Sequence, residues 1–207
     1  MPRTLSATDI ASFRGDLCGV AAHLFAERGY DGVTMRAIAG ELGVSPMTPY
    51  GYFESKGQIY AEIRAQAFQR FGDRVADAAD PALEPLIRLR ALFGAYLQFA
   101  IDEPGSYRIM FELTPPEDAQ PDESDAVRAG ETWTPLLETL SEAVAKGILA
   151  GDPLTLAHVC WVQVHGLASL QISDRLSFGR SLEDILDPAF DTLLHGSLAR
   201  PASTTRE

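Results

Sequence analysis

Residues 34–56 read TMRAIAGELGVSPMTPYGYFESK, and the local chemistry of this stretch predicts two short helices joined by a sharp turn. Thr34 is suited to cap the first, whose Ile38, Ala39 and Leu42 fall on one face. Gly43 stands where the chain must reverse, a position that favours a residue tolerating positive φ. Ser45 is then the expected N-cap of the second helix, and Pro46 fits its first turn, where the missing N–H would go unbonded anyway. Helix, short turn, helix is the helix-turn-helix plan, whose second helix enters the major groove of DNA. Two residues work against it. Pro49 cannot donate the first intrahelical bond, its ring crowds the Ser45 carbonyl, and it disfavours helical geometry at Thr48. Gly51 costs about 1 kcal/mol of helix propensity against Ala. The recognition helix is therefore expected to be short and irregular at its start.

Working outward, the preceding segment carries Ile10, Phe13, Leu17, Val20 and Leu24 at three- and four-residue steps, and Arg28-Gly29 ends it as a helix C-terminus should. Together with the upstream AAHLFAERGYDGVT, the pattern Thr34, Ile38-Ala39, Leu42-Gly43-Val44-Ser45, Tyr50, Tyr52-Phe53 and Lys56 resembles the tetracycline-repressor (TetR) family of transcriptional regulators. The resemblance implies DNA-contacting roles by position. Thr34, Tyr50, Tyr52 and Lys56 stand where relatives touch phosphates, Lys56 also opening a helix whose free N–H groups favour an anion. Arg36 stands where a base edge is often read. Pro46, Met47 and Thr48 form the exposed start of the recognition helix that Ser45 caps, and Gly51 stands where relatives often carry a DNA-contacting side chain, which leaves Arg36, the Thr48 hydroxyl and methyl contacts to read bases. Phe53 reads as core of a small three-helix domain.

Charge is uneven along the chain. The net formal charge is −12, but residues 1–58 carry only −1 of it and the remainder −11, so overall acidity leaves room for a local DNA-binding face. The opening MPRTLSATDI has no apolar run and is not expected to be a signal peptide. Cys18 and Cys160 each lie in an apolar helical pattern, have no CxxC partner, and read as free, buried thiols of a reducing cytoplasm.

Beyond residue 58 the 3.6-residue period persists and no strand is indicated. The expected fold is all-α: a three-helix helix-turn-helix domain over 1–58, a larger helical ligand-binding and dimerisation domain over 59–200 and a polar tail over 201–207, about nine helices in all. Residues 114–125, TPPEDAQPDESD, read as a solvated break. A long helix is expected from about Ala126 to Leu149, and another from Leu154 to about Leu176 that is apolar on two faces and must be covered on both. Its two histidines, two glutamines and lack of basic flanks argue against a membrane span.

The segment Tyr107–Phe111, with Trp161 and His165-Gly166, resembles a C-terminal subtype of the same family marked by a Trp and a His-Gly. An apolar small-molecule cavity is expected from Phe93, Tyr96, Tyr107, Met110, Phe111, Trp133, Leu137, Trp161 and His165, a set more aromatic than a bundle core needs. Dimerisation is assigned to Leu167, Leu170, Leu186, Phe190, Leu193 and Leu194, because a chain of this size has too few elements to cover both faces. His158 and His165 lack a third ligand at metal-binding spacing, and no cofactor is expected. No nucleophile–base pair, phosphate loop or Glu-x-x-His pair points to an enzyme. The reading is a repressor that binds an operator as a homodimer and is released by a small apolar ligand.

Overall fold

The computed structural model describes residues 6–112, 114–121, 123–176 and 178–198; the polar tail expected over 201–207 lies outside them. Among the described residues the regular structure is helical, apart from one isolated bridge between Leu149 and Leu198. The eight α-helices are α1 (Ala7–Arg28), α2 (Met35–Glu41), α3 (Lys56–Ala78), α4 (Pro85–Asp102), α5 (Pro104–Tyr107), α6 (Glu123–Ala145), α7 (Pro153–Ile172) and α8 (Leu182–Ser197). The all-α reading holds. Single turns of 3₁₀ helix stand at Pro49–Gly51 and Glu117–Ala119, and α5 runs into a wider π-type turn at Arg108–Glu112.

The helix ends follow from local chemistry. Ser6 and Asp9 cap α1 reciprocally, and at its far end Gly29, at φ 69°, donates to the Phe25 carbonyl. Thr34 Oγ1 accepts from Ala37 N–H at 3.1 Å and starts α2. Gly43 takes φ 67°, the left-handed conformation the turn requires. Ser55 Oγ accepts from Gln58 N–H while Gln58 Oε1 accepts from Glu54 N–H, a reciprocal cap that opens α3. Asp152 caps α7 by accepting Thr155 N–H, and Ser181 with Asp184 forms a reciprocal cap on α8.

The chain divides into two compact units, neither of them contiguous. The first takes the residues up to Arg70 together with Glu103–Arg128; the second takes Phe71–Asp102 together with the residues from Ala129 onward. The boundary expected at 58/59 falls inside α3. In the first unit α1 packs on α2 and α5 around Leu17, Leu24, Phe25, Val33, Ile38, Phe53, Ile59, Tyr60 and Ile63, joined by Ile109 and Ala119 from the returning segment. Each large apolar side chain removed from water here contributes about 1.5–3 kcal/mol. In the second unit α4 and α8 both pack on α7.

The segment 114–125 is exposed at Thr114, Glu117, Asp118, Gln120, Pro121 and Glu123, as expected, but it is anchored at three points. Ala119 is buried in the first unit's core. Asp118 accepts the Tyr30 hydroxyl at 2.6 and 2.7 Å and lies so close to Gly57 that a Cβ there would fall 2.3 Å from its carbonyl oxygen. Asp125 is buried between Arg64 and Arg128. Acidic composition signals solvation only until the acids find partners: here Tyr30 and Arg128 donate hydrogen bonds, and Arg64 adds an ion pair to Asp125.

Candidate nucleic-acid interface and ligand sites

The turn after α2 does not become an α-helix. Thr48 N–H bonds the Ser45 carbonyl at 2.8 Å, three residues back, and Gly51 and Tyr52 repeat that spacing onto Thr48 and Pro49. The cause is Pro49: it has no N–H to close the four-residue bond onto Ser45, so the carbonyl is taken by Thr48 and the chain tightens into a 3₁₀ turn. The recognition helix expected after Ser45 is thus corrected to a tight turn ending in Pro49–Gly51. Ser45 caps that turn rather than a helix, its Oγ accepting Met47 N–H at 3.4 Å.

The turn is held from beneath. Pro49 and Phe53 are buried. Tyr52 is half-buried against Phe13, ring centroids 4.7 Å apart. Arg14, from α1, donates to the Tyr52 carbonyl at 2.6 Å and to Glu62 at 3.3 Å, its guanidinium 4.0 Å above the Phe53 ring. What remains outward is Thr34, Arg36, Ser45, Pro46, Met47, Tyr50 and Gly51, with Thr48 half-buried at the edge. Met47 is 71% and Tyr50 50% exposed, so Tyr50 is turned to solvent while its neighbour Tyr52 packs.

Lys56 differs from the free phosphate-binding cation implied by its position. Its ammonium donates to the carbonyls of Tyr30 (2.7 Å) and Val33 (2.9 Å) and sits 3.8 Å over the Tyr30 ring. Those carbonyls belong to the α1–α2 connection, so Lys56 ties α3 to the approach of α2. Among the described residues up to 58, Arg36 is the cation for which no partner within the chain is found. No local sequence pattern marks Arg14 or Tyr30, because each works through a contact distant in the chain. Burial pushes the Tyr30 phenol well above its ordinary value, reinforced by the Asp118 carboxylate beside it, and the hydroxyl stays a donor.

The residues expected to line a cavity fall in both units. In the first, Tyr107 and Met110 are buried and Phe111 is half-buried; the Phe111 ring meets Phe68 at 5.7 Å and Tyr107 at 5.2 Å. In the second, Trp161 Nε1–H donates to the Tyr96 hydroxyl at 3.3 Å, and that hydroxyl lies 3.2 Å from His165 Nδ1. Trp133 stands edge-on to Trp161 at 6.0 Å and to His158 at 4.9 Å. Leu137 is half-buried, and Phe93 is core, packed on Phe190 at 5.6 Å. A groove of about 300 Å³ in this unit is bordered by Ala79, Pro81, Arg88, Pro135 and Glu142, not by the predicted aromatic set.

The dimer assignment needs correcting at three positions. Leu167, Phe190 and Leu193 are buried inside the subunit, spent on packing α7, α8 and α4 together. Leu186 and Leu194 are half-buried, and Leu170 is exposed. The apolar side chains that α7 leaves outward include Val159, Val162 and Leu170. The periodicity identified two apolar faces but could not say which one the chain covers itself.

Among the described residues no helix is long and apolar enough to cross a membrane, and no group of three potential metal ligands is found. Both cysteines are buried and free, and burial raises Cys18 to about 11 and Cys160 to about 12.

Comparison with known proteins agrees with the helical arrangement. Residues 18–63 match the family model described as bacterial regulatory proteins, tetR family, and residues 89–195 match the Tetracyclin repressor-like, C-terminal domain. The second match does not identify the Trp/His-Gly subtype. The HTH-type transcriptional activator FasR of Mycolicibacterium smegmatis is 31% identical over 99 residues, 48% of this chain and 45% of that protein. The HTH-type transcriptional repressor KstR2 of Mycobacterium tuberculosis is 36% identical over 89 residues, 43% of this chain and 44% of that one. The aligned stretch thus spans less than half of either relative. The crystal structure of a TetR family transcription regulator from Marinobacter aquaeolei covers 92% of this chain and 97% of its own, with TM-score 0.73 and 18% identity, and shares the fold.

Proposed function

The chain belongs to the tetracycline-repressor family of bacterial transcriptional regulators, and from that premise we propose that it represses transcription in the cytoplasm as an operator-bound homodimer that a small molecule with an apolar body releases. Its relatives are regulators, not enzymes. The observation that carries the reading is the outward set Thr34, Arg36, Ser45, Pro46, Met47 and Tyr50 on a turn that Pro49, Phe53 and Arg14 hold rigid from below.

Arg36 supplies the bidentate donor that reads a guanine edge, and the methyl-bearing Met47 and Thr48 favour thymine. Thr34, Tyr50 and Tyr52 are neutral donors to phosphate. With the ammonium of Lys56 and the guanidinium of Arg14 committed to backbone carbonyls, few mobile cations remain on this face. The salt dependence of binding is then shallower than a Lys56-led contact set would give.

For dimerisation the outward stripe of α7 replaces the earlier assignment. Val159, Val162, Gly166 and Leu170 share one side of the helix, and a Cβ added at Gly166 would meet nothing within 4 Å inside the subunit. Its missing side chain therefore serves no packing need of its own chain. It suits the close approach of a second copy about a two-fold axis. The ligand's apolar body is assigned to Tyr107, Met110 and Phe111 of the first unit, through differential affinity for the DNA-bound and free conformers.

Selection of bound sequences from random duplex DNA tests the reading. The expected product is a near-palindrome with half-sites about 10 bp apart or a multiple of that. Arg36→Ala should blur preference at one position in each half-site. Absence of any enriched sequence at moderate salt would sink it.

A further inference from the structure

On the inner side of α3 the first unit holds donors that the chain does not use. Tyr60 is 1% exposed, its ring packed between Phe25 (5.7 Å) and Tyr30 (5.4 Å), and its buried hydroxyl has no hydrogen-bond partner. One helical turn on, Arg64 has a side chain 12% exposed, and its buried Nε and Nη1 likewise make no hydrogen bond. Nη1 reaches Asp125 Oδ2 only as an ion pair at 3.4 Å, and Asp125 is already hydrogen-bonded by Arg128 at 3.0 Å. Two guanidiniums therefore share one carboxylate. A buried guanidinium ordinarily meets acceptors in its own plane, and a buried phenol ordinarily donates. The Tyr60 hydroxyl and Arg64 Nε, two donors without an acceptor on one face of one helix, describe a place for an anion other than the Asp125 carboxylate that Nη1 already faces.

The surroundings define the rest of that ligand. Arg64 lies 4.9 Å over the Phe68 ring, Phe68 meets Phe111 edge-on, and Phe111 meets Tyr107. An inorganic anion gains nothing from such walls, whereas an aromatic or acyl body does. Burial keeps the Tyr60 phenol protonated, against the opposing pull of the Arg64 charge, so it can donate.

We propose that Tyr60 and Arg64 form a receiving site for the carboxylate of an amphipathic acid whose apolar body lies against Phe68 and Phe111. The inference rests on the reading of the chain as a ligand-responsive regulator and gives that ligand a chemical class: an organic acid rather than a neutral apolar molecule. The carboxylate takes Nε–H of Arg64 and the hydroxyl of Tyr60, and shares with Asp125 the charge of one guanidinium.

The test is calorimetric titration of the full chain with octanoate, decanoate and phenylbutyrate, each against its primary amide. At least one acid should bind, with its amide about tenfold or more weaker, because charge-assisted hydrogen bonds are lost. Arg64→Gln should erase the preference for acid over amide. Since that variant strips Asp125 of one partner, Tyr60→Phe provides a second measurement. It should lower affinity for the acid yet leave the ligand-free protein at least as heat-stable as wild type, because it deletes an unbonded donor and keeps the ring. Binding of none of the acids, equal binding of acid and amide, or unchanged acid affinity in Tyr60→Phe would overturn the proposal. Operator binding by wild type, measured in parallel, separates the two readings: a chain that binds its operator but none of these acids refutes this inference alone.

Discussion

Replacing Arg14 with Met removes a guanidinium while keeping an apolar stem of similar reach. The hydrogen bond to the Tyr52 carbonyl joins a charged donor to a half-buried acceptor and contributes about 1.5–3 kcal/mol. The stacking over Phe53, at 4.0 Å, adds about 0.5–1 kcal/mol. The ion pair to Glu62 adds little: the two side chains are 34% and 38% exposed, and such pairs contribute under about 1 kcal/mol. The expected loss is about 2–4 kcal/mol, read by urea denaturation followed by circular dichroism and tyrosine fluorescence. A double-mutant cycle with Glu62→Gln should return a coupling below about 0.5 kcal/mol, because the stabilisation lies in the carbonyl and the ring rather than in the carboxylate. Operator affinity should fall about tenfold or more under conditions where the variant is still folded, since Tyr52 closes the turn bearing Met47 and Tyr50. Unchanged stability and operator affinity would refute the idea that Arg14 fixes the DNA-reading turn.

Gly51→Ala should stabilise the chain by about 0.4–1 kcal/mol in the same denaturation assay, because the unfolded state loses freedom and the added Cβ meets nothing within 4 Å; a destabilised variant would show that the turn needs glycine. Val162→Glu, at a side chain 68% exposed in the subunit, should leave helicity intact while sedimentation shows a monomer and operator affinity collapses. If the variant stays dimeric, the interface lies elsewhere. Cys18 and Cys160, raised by burial to about 11 and about 12, should resist thiol reagents at pH 8 until the chain unfolds, and labelling of the folded protein at the rate of free cysteine would contradict their burial. The same shifts carry a sign. Above about pH 9 the unfolded thiols ionise while the folded ones hold their protons, so stability should decline as pH rises toward 11 and 12.

Local signals were the ones the sequence displayed openly. Thr34 as a cap, Gly43 at positive φ, Gly29 ending α1 and the conflict at Pro49 each depend on neighbours within four residues, where backbone sterics decide the outcome. Pro49 acts more strongly than its position suggests: the lost bond removes the recognition helix rather than trimming it. Misreadings arose where a side chain meets a partner far away in sequence. Lys56 looks like a phosphate contact until its ammonium is seen to donate to the carbonyls of Tyr30 and Val33. Phe190 looks like an interface residue until Phe93 covers it. The acidic run at 114–125 looks solvated until Tyr30 and Arg64 engage Asp118 and Asp125. Amphipathic periodicity tells how many faces want covering, not what covers them.

The return of residues 103–128 to the first unit bears on how the protein is made. Ile109 and Ala119 complete the core begun by Leu17, Phe25 and Ile59, so the DNA-reading unit closes a long loop before its last contacts form. Loop closure of this kind is paid in chain entropy ahead of any gain from packing. On the ribosome, the first seventy residues emerge without the segment that finishes their core, and they stay incomplete until residue 128 has left the tunnel. By then α4, which belongs wholly to the second unit and packs on α7, is already waiting for a partner not yet synthesised. The two units are thus interleaved in time as well as in sequence, and the contact of Asp118 with Tyr30 is among the last to complete the first unit.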